Sequence, residues 1–243
     1  MQQKDELCGP FCTARVLVEL GVTEWDGEPI DQDLVAWRAG TTLPSDELPN
    51  VPPGARSWRD YDRPIELADI DAAGTTAEAL VDAVQAAGGG ALATLPVHGD
   101  WTPAAVERLV AAAESSGARL IANVRSGRLW GSRPPVEALI GHLAGRAVDE
   151  PPPDWDVGHF CELRALVRGA GGSLVAVRDT YPGLGYDGHH LQPPHALAAA
   201  LRRDDGREGG VLAIVAAERR GALEAEVAGA GLAIGIWDNG TRR

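Results

Sequence analysis

The chain has 243 residues, 44% hydrophobic and 23% charged, enough apolar material for one sizeable core. Its formal charge of −13 argues against a nucleic-acid partner, because neutralising phosphates takes clustered Lys and Arg. No apolar run reaches the ~18 residues that span a bilayer, and the start lacks a basic segment followed by an apolar one, so neither a membrane association nor a secretory signal is expected. Three cysteines cannot all pair within one chain, and the expected setting is cytoplasmic and reducing, with free thiols.

The first element is a helix opened by Leu7-Cys8-Gly9-Pro10-Phe11-Cys12. Pro10 suits a first turn, where its missing N–H costs nothing; the apolar run continues to Leu20, and Gly21 is a natural left-handed stop. Cys8 thus lies at or just before a helix N-terminus, where partial positive charge favours a thiolate. The plainer reading makes Cys8 and Cys12 small apolar residues of a buried face. Residues 22–74 then form a long, proline-punctuated insertion with one short helix from Ile30 to Ala39, capped by Asp31. It is expected either as a surface loop pinned by Trp25, Trp37 and Trp58 or as a wall of a substrate cleft.

Thr75-Thr76-Ala77-Glu78 signals a helix start, ended by Gly88-Gly89-Gly90. A short strand from Ala91 to Val97 follows, then a helix capped by Thr102 with Pro103 in its first turn, running to Ser115. Arg119 to Val124 is a buried-type strand. Residues 125–157 form a second loop-rich insertion with a helix from Val136 to Leu143, a polar surface His142 and Pro151-Pro152-Pro153, placed to overhang whatever follows. Further on, Gly183 to His190 reads as a glycine-rich loop whose paired histidines, His189 and His190, suit a cleft lining better than a metal. Helices from Pro194 to Arg203 and Ala222 to Ala228 alternate with strands from Gly210 to Ala217 and Leu232 to Trp237. No linker splits the chain, so residues 1–243 are expected as a single α+β domain.

Between these lie two strands, Val157 to Leu166 and Leu174 to Pro182, joined by the glycine-bearing turn 168–173. The hairpin brings His159, at the start of one strand, near Asp179, at the end of the other, although a bulge leaves the register open. A nucleophilic cysteine needs an imidazole to accept its proton and a third group to orient the ring.

A glutamine, then Cys-Gly-Pro-x-Cys on a helix, a His-Phe strand and a strand ending in Asp resembles the papain-like cysteine peptidases, and among them the bacteriocin-processing, double-glycine leader peptidases. The resemblance covers the first twenty residues and roughly 120–182. It implies a papain-like fold with an N-terminal nucleophile helix packed on an antiparallel β-sheet. It also implies Cys8 as nucleophile, His159 as general base and acid, Asp179 as the orienting carboxylate, and Gln2, six positions before the cysteine, as an oxyanion donor. The implied substrate is a peptide or protein, such as a leader or precursor peptide, and no cofactor or metal is implied. Leu7 stands where that branch often has Asp, and the span from nucleophile to histidine is longer than in its compact members. Three alternatives stand beside this one: acyl transfer to an amine with the same triad, a non-catalytic binding scaffold, and a zinc site of Cys8, Cys12, His159 and Cys161.

Overall fold

The computed structural model describes residues 2–45, 50–70 and 72–241. Helix α1 (Cys8–Glu19) starts without a side-chain cap and without an acidic residue in its first turn. Its positive end is therefore offset by nothing on the helix itself. The strand pair β1 (Glu24–Trp25) and β2 (Glu28–Pro29) leads into α2 (Gln32–Arg38), whose Leu34 N–H donates to Asp31 Oδ1 at 2.8 Å, the expected cap. Strand β3 (Thr42–Pro44) pairs in parallel with β4 (Glu66–Ala68).

The remaining elements are α3 (Ala77–Gly88), β5 (Leu92–His98), α4 (Pro103–Ser116), β6 (Arg119–Arg125), α5 (Val136–Leu143), β7 (Gly158–Arg168), β8 (Ser173–Arg178), β9 (His189–Gln192), α6 (Pro194–Arg202), β10 (Gly210–Ala216), α7 (Arg220–Gly229) and β11 (Ala233–Ile234). Thr76 and Thr102 cap α3 and α4 with bonds of 3.1 Å to the Ala79 and Ala105 N–H groups. Seven strands form one sheet in the order β11-β5-β10-β6-β7-β8-β9, every neighbouring pair antiparallel. The chain is an α+β protein, with helices on both faces of this sheet. Ile121, Phe160, Leu212 and Ile214 on one face bury against Cys12, Val16 and Leu17 of α1 and Leu80, Val81 and Val84 of α3. On the other face Leu120, Ala122, Val124, Cys161, Leu163, Val175 and Val177 pack against α4, α6 and α7. Among the described residues no helix is long and apolar enough to cross a membrane.

Four sequence expectations change. His189 and His190, expected at the end of the glycine-rich loop, instead open the edge strand β9, because β8 offers them a free hydrogen-bonding edge. The last strand shrinks to Ala233–Ile234, and Trp237 instead turns in to the α1 side of the core. His142 is half-buried, its Nε2 bonded to the Ser173 carbonyl at 2.9 Å and its ring against Trp130. Of the three tryptophans expected to pin residues 22–74, only Trp25 is buried; Trp37 and Trp58 are 41% and 38% exposed.

The pins are polar. Buried Lys4 pairs with Asp33 at 2.7 Å and with Asp62 at 2.8 Å. Buried Asp5 accepts from the Trp58 N–H at 3.0 Å, the Ser57 hydroxyl and Arg59 Nε, while Tyr61 Oη donates to its carbonyl at 3.0 Å. These bonds fasten the insertion to the strand of chain just ahead of α1.

Candidate active site

Where β7 faces β8, a single extra residue decides the geometry. Leu163 pairs with Val177, but the next pair toward the turn is Ala165 with Ala176, so Arg164 is a bulge. A shift of one residue exchanges the two faces of a strand. With the bulge, His159, Cys161 and Leu163 share a face with Val177 and, continuing the register past the strand end, with Asp179. Without it, Asp179 would face the side of Glu162, and His159 the opposite side.

His159 and Asp179 are both buried, with His159 Nε2 at 3.0 Å from Asp179 Oδ1. The same oxygen accepts from the Thr180 N–H at 2.7 Å and lies 3.4 Å from the Tyr181 N–H. Asp179 Oδ2 lies 3.5 Å from His190 Nε2. Burial alone would raise the Asp179 pKa; the charge and hydrogen bond of His159, then the hydrogen bond of His190, hold it far below the ordinary carboxylate range. Burial would likewise lower the His159 pKa, yet the charge and hydrogen bond of Asp179, joined by a hydrogen bond with Cys8, raise it to about 10. His159 thus uses one ring nitrogen on Asp179, which leaves Nδ1 for Cys8.

Cys8 reaches this ring from the first turn of α1. Gly9 permits the approach: a Cβ there would sit 3.0 Å from Leu80 and 3.3 Å from Phe160, the residue next to His159. Arg15, two turns on, ties the same helix to the hairpin. Its guanidinium pairs with buried Glu162 on β7 and donates to the carbonyls of Asp179 at 3.2 Å and Arg178 at 3.3 Å. Cys8 lines the cleft, whereas Cys12 and Cys161 are buried, and burial pushes both of their thiols well above the ordinary value. Among the described residues no group of three His, Cys, Asp or Glu is gathered to hold a metal ion, so the four residues of the zinc alternative do not converge.

Gln2 does not line the cleft; its amide donates to the Arg56 carbonyl at 2.8 Å. Gln3 lines it instead, with Nε2 donating to Tyr181 Oη at 3.0 Å and a second hydrogen left over. The cause is local. The Gln3 N–H bonds to the Thr180 carbonyl at 3.1 Å, and Glu6 takes a left-handed φ of 63° in a turn closed by the Leu7 N–H on the Lys4 carbonyl. Counting back from the cysteine cannot register such a turn.

The cleft measures about 360 Å³. Pro44, Asn50, Ile70, Ala73 and Gly74 bring the 22–74 insertion into its wall, and Trp155 and Asp156 bring in the 125–157 insertion. The Trp155 ring packs edge-on against His159 (centroids 5.2 Å apart) and Tyr181, covering the His–Asp pair, while its Nε1 donates to Asn50 Oδ1 at 2.9 Å. Across the cleft, Arg203 Nη1 donates to Asn123 Oδ1 at 3.1 Å, which leaves the Asn123 amide nitrogen for a ligand. Sequence reasoning missed Gln3, Tyr181, Asn123, Trp155 and the contact between His190 and Asp179. Asn123 carried a signal, as a lone amide inside an apolar strand, and so did the alternation of His190 and Gln192.

The model of a family of unknown function (DUF6885) matches residues 1–238. No curated protein and no solved structure matches the chain.

Proposed function

We propose that this chain, which belongs to the family of unknown function DUF6885, is a cysteine peptidase-like hydrolase with a papain-like arrangement of its site. One observation carries the reading: a cysteine at an uncapped helix N-terminus lines the same cleft as a buried histidine, helps to raise that histidine's pKa, and the histidine's Nε2 is held at 3.0 Å by a buried aspartate. Raising the His159 pKa to about 10 favours imidazolium, and the helix end favours thiolate. The Cys8 sulfur attacks a peptide or related amide carbonyl, forming a C–S bond. The oxyanion is met by the Cys8 N–H and the spare hydrogen of Gln3. His159 then protonates the leaving amine as the C–N bond breaks. It next takes a proton from water, which hydrolyses the thioester and returns Cys8. Gln3 takes the role that the sequence resemblance gave to Gln2.

A cleft with walls from both insertions suits an extended peptide, such as a leader or precursor segment. The test is labelling with an electrophilic probe followed by peptide mapping. The expected result is modification at Cys8 alone at mildly acidic pH, lost in Cys8→Ala and suppressed in His159→Ala. A Cys8 that reacts only as a free thiol does, with a pKa near ~8.5, would overturn the proposal.

A further inference from the structure

Asp179 touches two histidines, and only one of them faces the cysteine. We infer that His190 is a positioning residue of the site: a neutral imidazole, locked as the Nε2–H tautomer, that donates to Asp179 Oδ2 and so keeps Oδ1 turned to His159. The inference rests on the peptidase reading above and adds to it a member outside the triad.

The tautomer follows from Gln192. That buried side chain is bound at both ends to one backbone unit, its Oε1 accepting from the Trp130 N–H at 2.8 Å and its Nε2 donating to the Trp130 carbonyl at 2.8 Å. The backbone therefore fixes which end of the amide is nitrogen, and no flip is open to it. The second hydrogen of Gln192 Nε2 meets His190 Nδ1 at 3.0 Å, so Nδ1 must accept. The ring proton then sits on Nε2, which lies 3.5 Å from Asp179 Oδ2. Protonating Nδ1 would set two donors against each other and expel the Gln192 contact. His190 is thus held uncharged, unlike His159, although both are buried beside one carboxylate.

The register supplies the frame. His190 pairs with Val177, and Val177 lies two residues before Asp179 on the face that carries His159. His190, Asp179 and His159 also border a small cavity of about 20 Å³ together with Asp154, Ser126 and Ser132. The titratable groups facing His190 are accordingly Asp179, His159 and Asp154. Asp154 is already engaged, its Oδ2 accepting from the Ser132 N–H at 2.7 Å.

Two measurements test the assignment. Nitrogen NMR of the intact chain labelled at histidine should find His190 protonated at Nε2 and bare at Nδ1 at neutral pH; an Nδ1–H tautomer or an imidazolium there would overturn it. That measurement needs no variant and no substrate. The second follows the rate of Cys8 alkylation by iodoacetamide against pH in the wild type, His190→Phe and His190→Gln. Phenylalanine keeps the bulk and removes the donor; glutamine keeps a donor close to the Nε2 position. His190→Phe should be about tenfold slower at mildly acidic pH, one unit of lost thiolate stabilisation, and His190→Gln should stay within about threefold of wild type. Equal loss in both variants, or no loss in His190→Phe, would reduce His190 to filler and overturn the inference. A wild-type Cys8 with an ordinary thiol profile would remove the peptidase reading and this one with it, a failure visible before any substitution. If His190→Phe does not fold, the tautomer alone decides.

Discussion

The two halves of the site reach the cleft by different means. Cys8 rides on the end of a helix whose start and stop are set by residues between Leu7 and Gly21. His159 and Asp179 are placed by pairing between strands, and their shared face depends on one bulged residue, Arg164. The helix tolerates errors of register, because a residue at its N-terminus is in place once the helix forms. The hairpin does not, because a slip of one position carries a whole strand to the other face. Arg15 joins these two systems, reaching from α1 to Glu162 and to the backbone at the end of β8.

Inserting one alanine between Cys161 and Glu162 is the hardest blow to the hairpin side. It keeps Leu163 opposite Val177 but turns His159 to the face away from Asp179, so turnover should fall on the order of 10³–10⁴-fold, the scale of a triad without its orienting carboxylate. A chain that is folded by far-ultraviolet circular dichroism and keeps full turnover would refute the dependence on register. On the nucleophile side, Gln3→Ala should cost on the order of 10²–10³ in kcat, while Gln2→Ala, remote from the cleft, should change it less than about threefold. The reverse ranking would restore the glutamine that the sequence resemblance favours.

The joint between the two halves is tested by stability. Arg15→Met strips a partner from Glu162 in the core and should cost about 3 kcal/mol in denaturant unfolding, softened by the second pairing of Glu162 with Arg164 at 2.7 Å. A change below about 0.5 kcal/mol would mean that the helix and the hairpin hold each other by apolar packing alone. The last effect is one of pH. The pKa of His159 is raised from 6.5 to about 10 on folding, so the stability it contributes is complete below 6.5 and fades as the pH climbs to about 10. The melting-temperature gap between wild type and His159→Gln should therefore narrow over that range. A gap that widens with pH would mean that His159 is neutral in the folded chain.

The amino acids near Cys8 declared their structure because their information is local: Pro10 in a first turn, Gly21 past the end, an apolar stripe between them. The ends of the two late strands were equally legible, and they placed His159 and Asp179 at one end of a hairpin. The insertions were legible only as insertions. Nothing in their composition says that Lys4 and Asp5 fasten one of them, or that Asn50 meets Trp155 over the cleft.

What the sequence determined alone was the class of the fold, most helix caps and the choice of Cys8, His159 and Asp179 as side chains that come together, all read from neighbours in the chain. The tertiary structure decided the rest: which glutamine lines the cleft, which face the histidine takes, and that a second imidazole stands behind the aspartate. Each of these turns on a shift of one residue, in the left-handed Glu6, the bulged Arg164 and the alternation of β9. A one-residue shift costs little locally and is settled by contacts between segments far apart in the chain, where local pattern carries no information.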